Sequence, residues 1–333
     1  MKDVLADLAR SPALYPAALD LTRDAVLLIG MEEGDYRTSS FLDERIAARD
    51  RRGQWVSAAE LRHALSTPAR VRPLHFIFHA GHVGSTLLSR LIDETGKVLP
   101  LREPVPLRTM AEAFDMGQPD MEARLEMFLR LWERGFSGNE AVVLKATSST
   151  ERLGPKLLTM RPKAKVVALN VSADSYLATI FAAPNSAVDL NNHGPERLHR
   201  LNKMGVPAPR PTTLGELAAM SWLAEKLTQV EMQRAFGARV LGVDFDAMLQ
   251  SLENTLGHVL DHFEIARLPG DAAAITASPA VTRYSKAPEQ GYSTALRMEL
   301  LNEARARYAK EIRAALEWLA MTAGRQESTA ALL

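Results

Sequence analysis

The sequence of 333 residues contains no cysteine. This absence excludes disulfides, thiolate zinc sites, iron–sulfur clusters and a cysteine nucleophile. Basic and acidic residues number 40 each, so the formal net charge is zero. The whole molecule therefore lacks the electrostatic attraction that a general nucleic-acid-binding protein carries. An anionic ligand must be held by a local site, and we expect no nucleic-acid partner.

Long apolar runs are also absent. Residues 1–25 are charged throughout and contain no apolar run of signal-peptide length, and no later segment approaches the ~20 apolar residues that span a bilayer. These observations predict a cytoplasmic protein with no membrane partner. With 47% hydrophobic residues, the chain has enough apolar material for a sizeable core.

The pattern along the chain divides it into three parts. Residues 1–70 form a charged N-terminal extension of unknown role, with one strand-like run at 25–29. After Pro73, five apolar runs alternate with helical patterns, which predicts a doubly wound α/β domain over residues 71–323 with a central parallel sheet flanked by helices. The runs cover residues 75–79, 98–101, 141–144, 165–171 and 238–243. Residues 324–333 are expected to be a flexible tail.

Two other segments carry structural predictions. Apolar residues recur every three or four positions from Leu296 to Leu319, which predicts one long amphipathic helix at the C-terminal end. Residues 183–214 are rich in proline and lack apolar periodicity, so we expect a structureless stretch. Its basic residues are compatible with a lid over an anionic ligand or acceptor, and equally with a solvated linker.

The most informative stretch is residues 75–90, where an apolar strand runs through a glycine-bearing turn directly into a helix. Its candidate anion ligands are Gly81, Gly84, Ser85 and Thr86. The two glycines let successive backbone N–H groups point inward, the helix dipole adds partial positive charge, and the hydroxyls are further donors. The spacing predicts a phosphate-binding loop; a strand-to-helix turn with a serine or threonine cap is the alternative.

The loop lacks the lysine of the GxxxxGK[ST] signature, because Ser85 follows Gly84 directly. Phosphoryl transfer from a triphosphate also needs an acidic metal ligand at the end of a neighbouring strand, and only Asp244 offers one. We therefore expect no metal. A kinase-like phosphotransferase that uses ATP and magnesium remains a less favoured alternative.

Residues 82–86, His-Val-Gly-Ser-Thr, resemble the 5′-phosphosulfate loop of the sulfotransferase family, which reads roughly basic-x-Gly-Ser/Thr-Thr after the first strand. Residues 160–170 and residues 240–249 are similar to two later strands of that family, and they follow the loop in the same order as in the family. The resemblance implies a P-loop-type three-layer α/β fold. It also implies sulfuryl transfer from 3′-phosphoadenosine 5′-phosphosulfate, the donor substrate, to a hydroxyl or amine of a small-molecule or peptide acceptor.

The resemblance further implies two catalytic residues. Glu103 follows the second strand, where several sulfotransferases place the carboxylate base that takes the acceptor proton, although a surface glutamate in a turn would look the same. His82 occupies the place of the loop's usual cation, and its charge depends on its surroundings. His79 is a competing base. Lys145 ends the third strand at the same edge of the sheet.

The family normally grips the 3′-phosphate with an arginine and a serine, and here those positions hold Asn170 and Ala178. A late basic loop precedes the last helix of the family. Arg283, Ser285 and Lys286 occupy the corresponding place and are the remaining candidates for this grip, with a solvated loop as the alternative. A non-catalytic nucleotide- or phosphate-binding protein that has kept the loop is the third hypothesis for the whole chain.

Overall fold

The computed structural model describes residues 5, 7–47, 53–183, 186–284, 287–291 and 293–323. The strands and helices of this part of the chain follow in this order: β1 Leu14–Asp20, β2 Ala25–Gly30, α1 Glu33–Thr38, α2 Glu44–Ala47, β3 Gly53–Ser57, α3 Ala58–Leu65, β4 Leu74–His79, α4 Ser85–Asp93, β5 Val98–Arg102, α5 Val105–Asp115, α6 Met121–Trp132, β6 Ala141–Lys145, a 3-10 turn Ser148–Leu153, α7 Gly154–Met160, β7 Val166–Asn170, α8 Ala173–Ala182, α9 Ser186–Lys203, α10 Leu214–Phe236, a 3-10 turn Gly237–Arg239, β8 Val240–Asp244, α11 Phe245–Gln250, α12 Leu252–His262, α13 Asp271–Thr276, β9 Arg283–Tyr284, β10 Ala287–Gly291, α14 Thr294–Arg307 and α15 Ala309–Ala323.

The centre of the molecule is a five-stranded sheet in the order β5-β6-β4-β7-β8, and every neighbouring pair is parallel. All residues of β4, β5, β6 and β7 are buried, because helices cover both faces of the sheet. Full burial explains why these strands read as continuous apolar runs rather than as an alternating pattern. The predicted α/β fold with a central parallel sheet is confirmed.

Alternate residues of β4 point to opposite faces of the sheet and enter two separate cores. Phe76 and Phe78 join the core that contains α5, α6 and α7, whereas Ile77 packs in the core that contains α4, α8 and α12. The sheet is therefore the middle layer of three. No helix of the described residues is long and apolar enough to cross a membrane.

The order of the strands creates a crevice at the carboxyl end of β4. The chain passes from β4 through α4 to β5, returns to β6, and then crosses to β7 through α7. Because α4 and α7 lie on opposite faces, the segments that leave the neighbouring strands β4 and β6 diverge. Ligands bind at such switch points in open α/β sheets, and the predicted phosphate loop follows β4.

The first 70 residues build an antiparallel sheet of β1, β2 and β3. Its strand β2 contains the apolar run at residues 25–29, which the sequence indicated as a strand. Val26 and Leu28 share one core with Met110 of α5 and Phe128 of α6, so this sheet covers the helices on one face of the central sheet.

Arg102, at the end of β5, connects residues 36–39, which follow β2 of the N-terminal sheet, to the α/β core. Its side chain is 0% exposed. It donates to the backbone carbonyls of Tyr36, Arg37 and Ser39 and forms an ion pair with Asp93 at 2.8 Å. A fully buried guanidinium is tolerated because each of its three nitrogens donates to an acceptor.

Replacing this guanidinium is expected to be costly. Arg102→Met removes one of the two arginine partners of Asp93, which keeps Arg37, and leaves three carbonyls without this donor, so the free energy of unfolding should fall by about 2–4 kcal/mol. Urea unfolding measures the change. Arg108→Met removes a half-exposed pair with Glu44 and should cost about 1 kcal/mol or less. Equal losses in the two variants would contradict the assigned role of Arg102.

Two predictions about local structure are wrong. The C-terminal periodicity belongs to two helices, α14 and α15, which break at Tyr308, and Leu300 and Leu316 on the predicted stripe are exposed. The segment 183–214 contains the 18-residue helix α9, which includes Pro195. Polar and charged residues hid this helix, because its buried face is partly ionic rather than apolar.

Candidate functional site

The chain turns sharply between β4 and α4. Gly81, His82 and Gly84 all have left-handed backbone conformations, with φ values of +100°, +54° and +74°. A Cβ at Gly84 would lie 2.0 Å from Cε2 of Phe245, so only glycine fits beneath that ring. The helix then starts at Ser85, as the sequence predicts.

The amino end of α4 presents hydrogen-bond donors without protein acceptors. In the described part of the chain, the N–H groups of Val83, Gly84, Ser85 and Thr86 bond to no protein atom, and the first turn carries no acidic side chain. Oγ1 of Thr86 is buried and also has no partner among the residues that the structure describes. Buried donors are normally satisfied. Together with the helix dipole, this set is suited to an anion such as a phosphate.

His79 shapes the loop rather than serving as a base. Its ring is 6% exposed, and Nδ1 accepts the N–H of Gly81 at 3.1 Å. Nε2 lies 2.9 Å from the carbonyl of Ala146 and must donate to it. Both contacts together require the neutral ring with its proton on Nε2. The alternative hypothesis of His79 as the base therefore conflicts with the structure, because both ring nitrogens are occupied.

His75 is also structural. Its ring stacks on Phe263 with centroids 5.0 Å apart, and Nδ1 accepts the N–H of Lys165. Burial, followed by the nearby charge of Lys165, lowers the pKa of His75 to about 4. His82, in contrast, is partly exposed within the loop. It is the one basic side chain in residues 80–86.

Glu103 lies beside Lys145 at the carboxyl ends of β5 and β6. The Lys145 ammonium, which is 0% exposed, forms an ion pair with the Glu103 carboxylate, whose side chain is 18% exposed. The N–H of Glu103 donates to the carbonyl of Lys145 at 2.7 Å. The next residue after Lys145 is Ala146, the acceptor for His79. The predicted base and the phosphate loop are thus linked through one short backbone segment.

The segment between α1 and α2 forms a further wall beside this pair. The N–H of Leu42 donates to the carbonyl of Arg102 at 2.6 Å, and Arg90 of α4 donates to Oγ of Ser40. The centroid of the Phe41 ring lies 3.8 Å from the guanidinium of Arg45 and 5.8 Å from the Lys145 ammonium. This contribution was not predictable from the sequence, because it depends on tertiary packing.

The two positions that depart from the family pattern are both buried. Ala178 is 0% exposed. The side-chain amide of Asn170 donates to Gln229 at 3.0 Å and accepts the N–H of Val171. The neighbouring Ser175 donates to a carboxylate oxygen of Asp246. These groups offer no cation for a phosphate.

The late basic loop falls partly outside the described residues, since Ser285 and Lys286 lie beyond them. Arg283 begins the short strand β9 and is exposed. Arg297 of α14, which the sequence did not suggest, lies 4.9 Å above the Phe245 ring and pairs with Asp246. The Phe245 ring therefore contacts both this cation and the position of Gly84.

Two of the basic residues in segment 183–214 pair within the protein rather than facing a ligand. Arg197 and Arg200 of α9 are buried and bind the carboxylate of Glu225 on α10. The hypothesis that they cover an anionic ligand is wrong for these two arginines, because a carboxylate of the protein itself is their partner. The solvated-linker alternative fails for the same helix.

Asp244, the acidic candidate for a magnesium ligand, caps α11 by accepting the N–H of Ala247 at 2.9 Å. It ends β8, which is separated from β4 by β7. Among the residues that the structure describes, no group of three or more histidine or acidic side chains is arranged to hold a metal ion.

The chain is similar to three solved structures of sulfotransferases. A mouse sulfotransferase in complex with PAP is 12% identical to this chain. The match covers 84% of this chain and 95% of the mouse protein, with a TM-score of 0.43. A sulfotransferase from Mycobacterium avium is 12% identical, with coverages of 75% and 79% and a TM-score of 0.43. The sulfotransferase domain of a Synechococcus PCC 7002 olefin synthase is 14% identical, with coverages of 72% and 90% and a TM-score of 0.40.

All three neighbours belong to the family that the sequence motifs resemble. No protein-family model matches the sequence. No curated protein matches it either. With TM-scores below 0.5, these likenesses carry no argument about activity, which has to come from the residues of the site.

Proposed function

We propose that the protein is a sulfotransferase-like enzyme that transfers a sulfuryl group from a phosphosulfate nucleotide to a hydroxyl or amine acceptor. The observation that carries this proposal is the set of unpartnered donors at residues 83–86, with the buried Thr86 hydroxyl among them. The Glu103 carboxylate, which is linked to this loop through Lys145 and Ala146, is proposed as the second requirement, a base at the acceptor side.

The proposed reaction divides between the two sides of the crevice. On the donor side, the loop amides, the hydroxyls of Ser85 and Thr86, and His82 hold the 5′-phosphate and stabilise the charge that develops as the bridging O–S bond breaks. On the acceptor side, the acceptor oxygen or nitrogen forms the new bond to sulfur and gives its proton to Glu103. Lys145 fixes the position of that carboxylate.

The nucleotide donor would be 3′-phosphoadenosine 5′-phosphosulfate, with Arg283, Ser285 and Lys286 at its 3′-phosphate. A small molecule or a peptide would be the acceptor. No observation favours the kinase-like alternative: the loop has no lysine, and Asp244 already caps a helix. Function without a metal and a cytoplasmic location remain predictions.

A thermal-shift comparison separates the three hypotheses. We expect adenosine 3′,5′-bisphosphate to raise the melting temperature, because a ligand at about 100 times its Kd adds about 2.7 kcal/mol to the stability of the native state. A shift with ATP and magnesium alone would favour the kinase-like phosphotransferase. A shift with the bisphosphate but no sulfuryl transfer to any of a panel of acceptors would favour a non-catalytic binding protein.

His82 should make nucleotide binding depend on pH. An imidazole beside a phosphate dianion is favoured in its charged form, so binding should take up a proton. The affinity for adenosine 3′,5′-bisphosphate should then weaken as the pH rises above ~6.5, where a free histidine loses its charge. Isothermal titration in buffers of different ionisation enthalpy measures both the proton uptake and the affinity.

Two variants test the assignment to His82. His82→Ala should remove the proton uptake, and His82→Arg should keep the affinity while removing its pH dependence over about pH 6 to 9, since arginine stays charged there. An identical pH dependence in wild type and His82→Ala would show that His82 is only a turn residue.

A further inference from the structure

Two carboxyl groups are buried together behind the turn that follows β6. Glu151 and Glu225 are each 0% exposed. Glu225 accepts hydrogen bonds from Nε of Arg197 at 3.1 Å and from both terminal nitrogens of Arg200 at 2.9 Å. Burial opposes the ionisation of Glu225, but the two arginines outweigh it and hold the pKa of this carboxyl below its ordinary value. Glu225 is therefore the ionised member of the pair.

Glu151 has no such support. Among the described residues, its Oε2 accepts only the neutral amide of Gln229, at 3.3 Å, and its Oε1 is buried without a partner. Burial, followed by the charge of Glu225, raises the pKa of Glu151 well above its ordinary value, although Arg200 opposes the shift. Two carboxyl groups whose surroundings differ in this way take different protonation states.

The position of Glu151 connects this pair to the phosphate loop. It lies in the 3-10 turn Ser148–Leu153, which begins three residues after Lys145. At the start of the turn, Oγ of Ser148 lies 3.7 Å from the point where a Cβ of Gly81 would stand. On its other side, Glu151 accepts a hydrogen bond from Gln229, which in turn accepts one from Asn170 at the end of β7.

We propose that Glu151 is a positioning residue that must carry a proton. As a neutral acid it allows the turn 148–153 to stay packed between α10 and the phosphate loop. When the proton leaves to solvent, a second negative charge appears beside Glu225 in an interior closed to solvent, and the turn loosens. The inference does not depend on the proposed sulfuryl transfer, because it is tested without any ligand.

Several other charged groups lie around the pair and contribute to its electrostatics. Arg152 neighbours Glu151 in the turn, and its partners are Asp115 of α5 and Glu196 of α9. The groups of α9 and α10 that face the cluster are Asp189, His193, Glu196, Arg197, Arg200 and Glu225. None of them is replaced in a Glu151 variant. Glu225 and Arg200 interact directly with Glu151 and belong to the tested pair, whereas the titrations of the more distant groups largely cancel in a comparison with wild type.

The expected sign follows from the two protonation states. In the unfolded chain Glu151 ionises near ~4.3, whereas in the folded protein it keeps its proton to a much higher pH. Its contribution to stability is therefore fully present below ~4.3 and is lost progressively as the pH rises toward the folded-state value. Glu151→Gln, which keeps an acceptor for Gln229 but cannot ionise, should not show this loss.

Melting temperatures of wild type and Glu151→Gln between about pH 5 and pH 8 test the inference. The wild type should fall relative to the variant by about 2 °C for each pH unit in which only the unfolded chain ionises. Glu253→Gln, at an exposed position of α12, should run parallel to wild type. A difference between wild type and Glu151→Gln that does not change with pH would overturn the proposal.

Hydrogen exchange locates the effect. At high pH the backbone amides of residues 145–153 and 80–86 should exchange faster in wild type than in Glu151→Gln, and at low pH the two proteins should agree. If the variant does not fold, wild type alone suffices, with the buried helix α6 as internal reference for the pH dependence of exchange. Equal acceleration in α6 and in residues 145–153 would overturn the coupling to the turn.

Discussion

Gly84→Ala is expected to remove phosphate binding and to destabilise the fold. The new Cβ would stand 2.0 Å from the Phe245 ring, and the position has a φ of +74°. The left-handed backbone costs about 1–2 kcal/mol and the overpacking about 1–3 kcal/mol, so the free energy of unfolding should fall by about 2–5 kcal/mol. Because the loop must shift to relieve the contact, its N–H groups lose their common direction. Urea unfolding and calorimetric titration with adenosine 3′,5′-bisphosphate measure the two effects.

Two control variants separate the cost of the left-handed backbone from the cost of the contact with Phe245. Gly117 has a similar φ of +64° and open space around its Cβ position, so Gly117→Ala should lose only the backbone contribution and keep its affinity. The double variant Gly84→Ala, Phe245→Ala should recover part of the affinity by making room. Wild-type affinity in Gly84→Ala would mean that the ligand does not bind at this loop.

Glu103→Gln is expected to lower the turnover number by about 10²–10⁴-fold, the usual contribution of a general base. The amide keeps the shape of the side chain but cannot take the acceptor proton. Nucleotide affinity should stay within about threefold of wild type, which is less than 1 kcal/mol, because the donor contacts the loop rather than this carboxyl. Steady-state kinetics with any acceptor that supports turnover, together with calorimetry, measures both quantities.

Loss of the partner for the buried Lys145 ammonium also destabilises this variant, so its melting temperature has to be measured alongside. Glu112→Gln, on the exposed side of α5, is the matched control and should change neither quantity. A parallel loss of affinity and turnover in Glu103→Gln would assign the residue to structure rather than to proton transfer.

The strands of the central sheet were predictable because each is a fully buried apolar run, and a parallel sheet covered on both faces produces that pattern. The phosphate loop was predictable for a local reason. Gly81 and Gly84 permit the left-handed conformations that aim the loop amides, and the apolar residues after Ser85 mark the helix. The glycines and the apolar residues that mark this loop lie within a few positions of each other in the sequence.

The remaining parts of the site depend on contacts between distant residues. Phe245 lies on Gly84 across 161 positions of sequence, and Lys145 meets Glu103 from a neighbouring strand. The helix α9 was missed because two buried arginines, which look like surface residues in the sequence, are both paired with Glu225 on another helix. A single sequence contains no local sign of such pairs.

The most direct test is a crystal structure of the protein with adenosine 3′,5′-bisphosphate. We expect the 5′-phosphate oxygens about 2.7–3.2 Å from the backbone nitrogens of Gly84, Ser85 and Thr86, with Oγ1 of Thr86 also in contact. Glu103 and Lys145 should border the space in front of that phosphate. A nucleotide bound elsewhere, with the N–H groups of residues 84–86 making no contact to it, would contradict the proposal that this loop holds the donor.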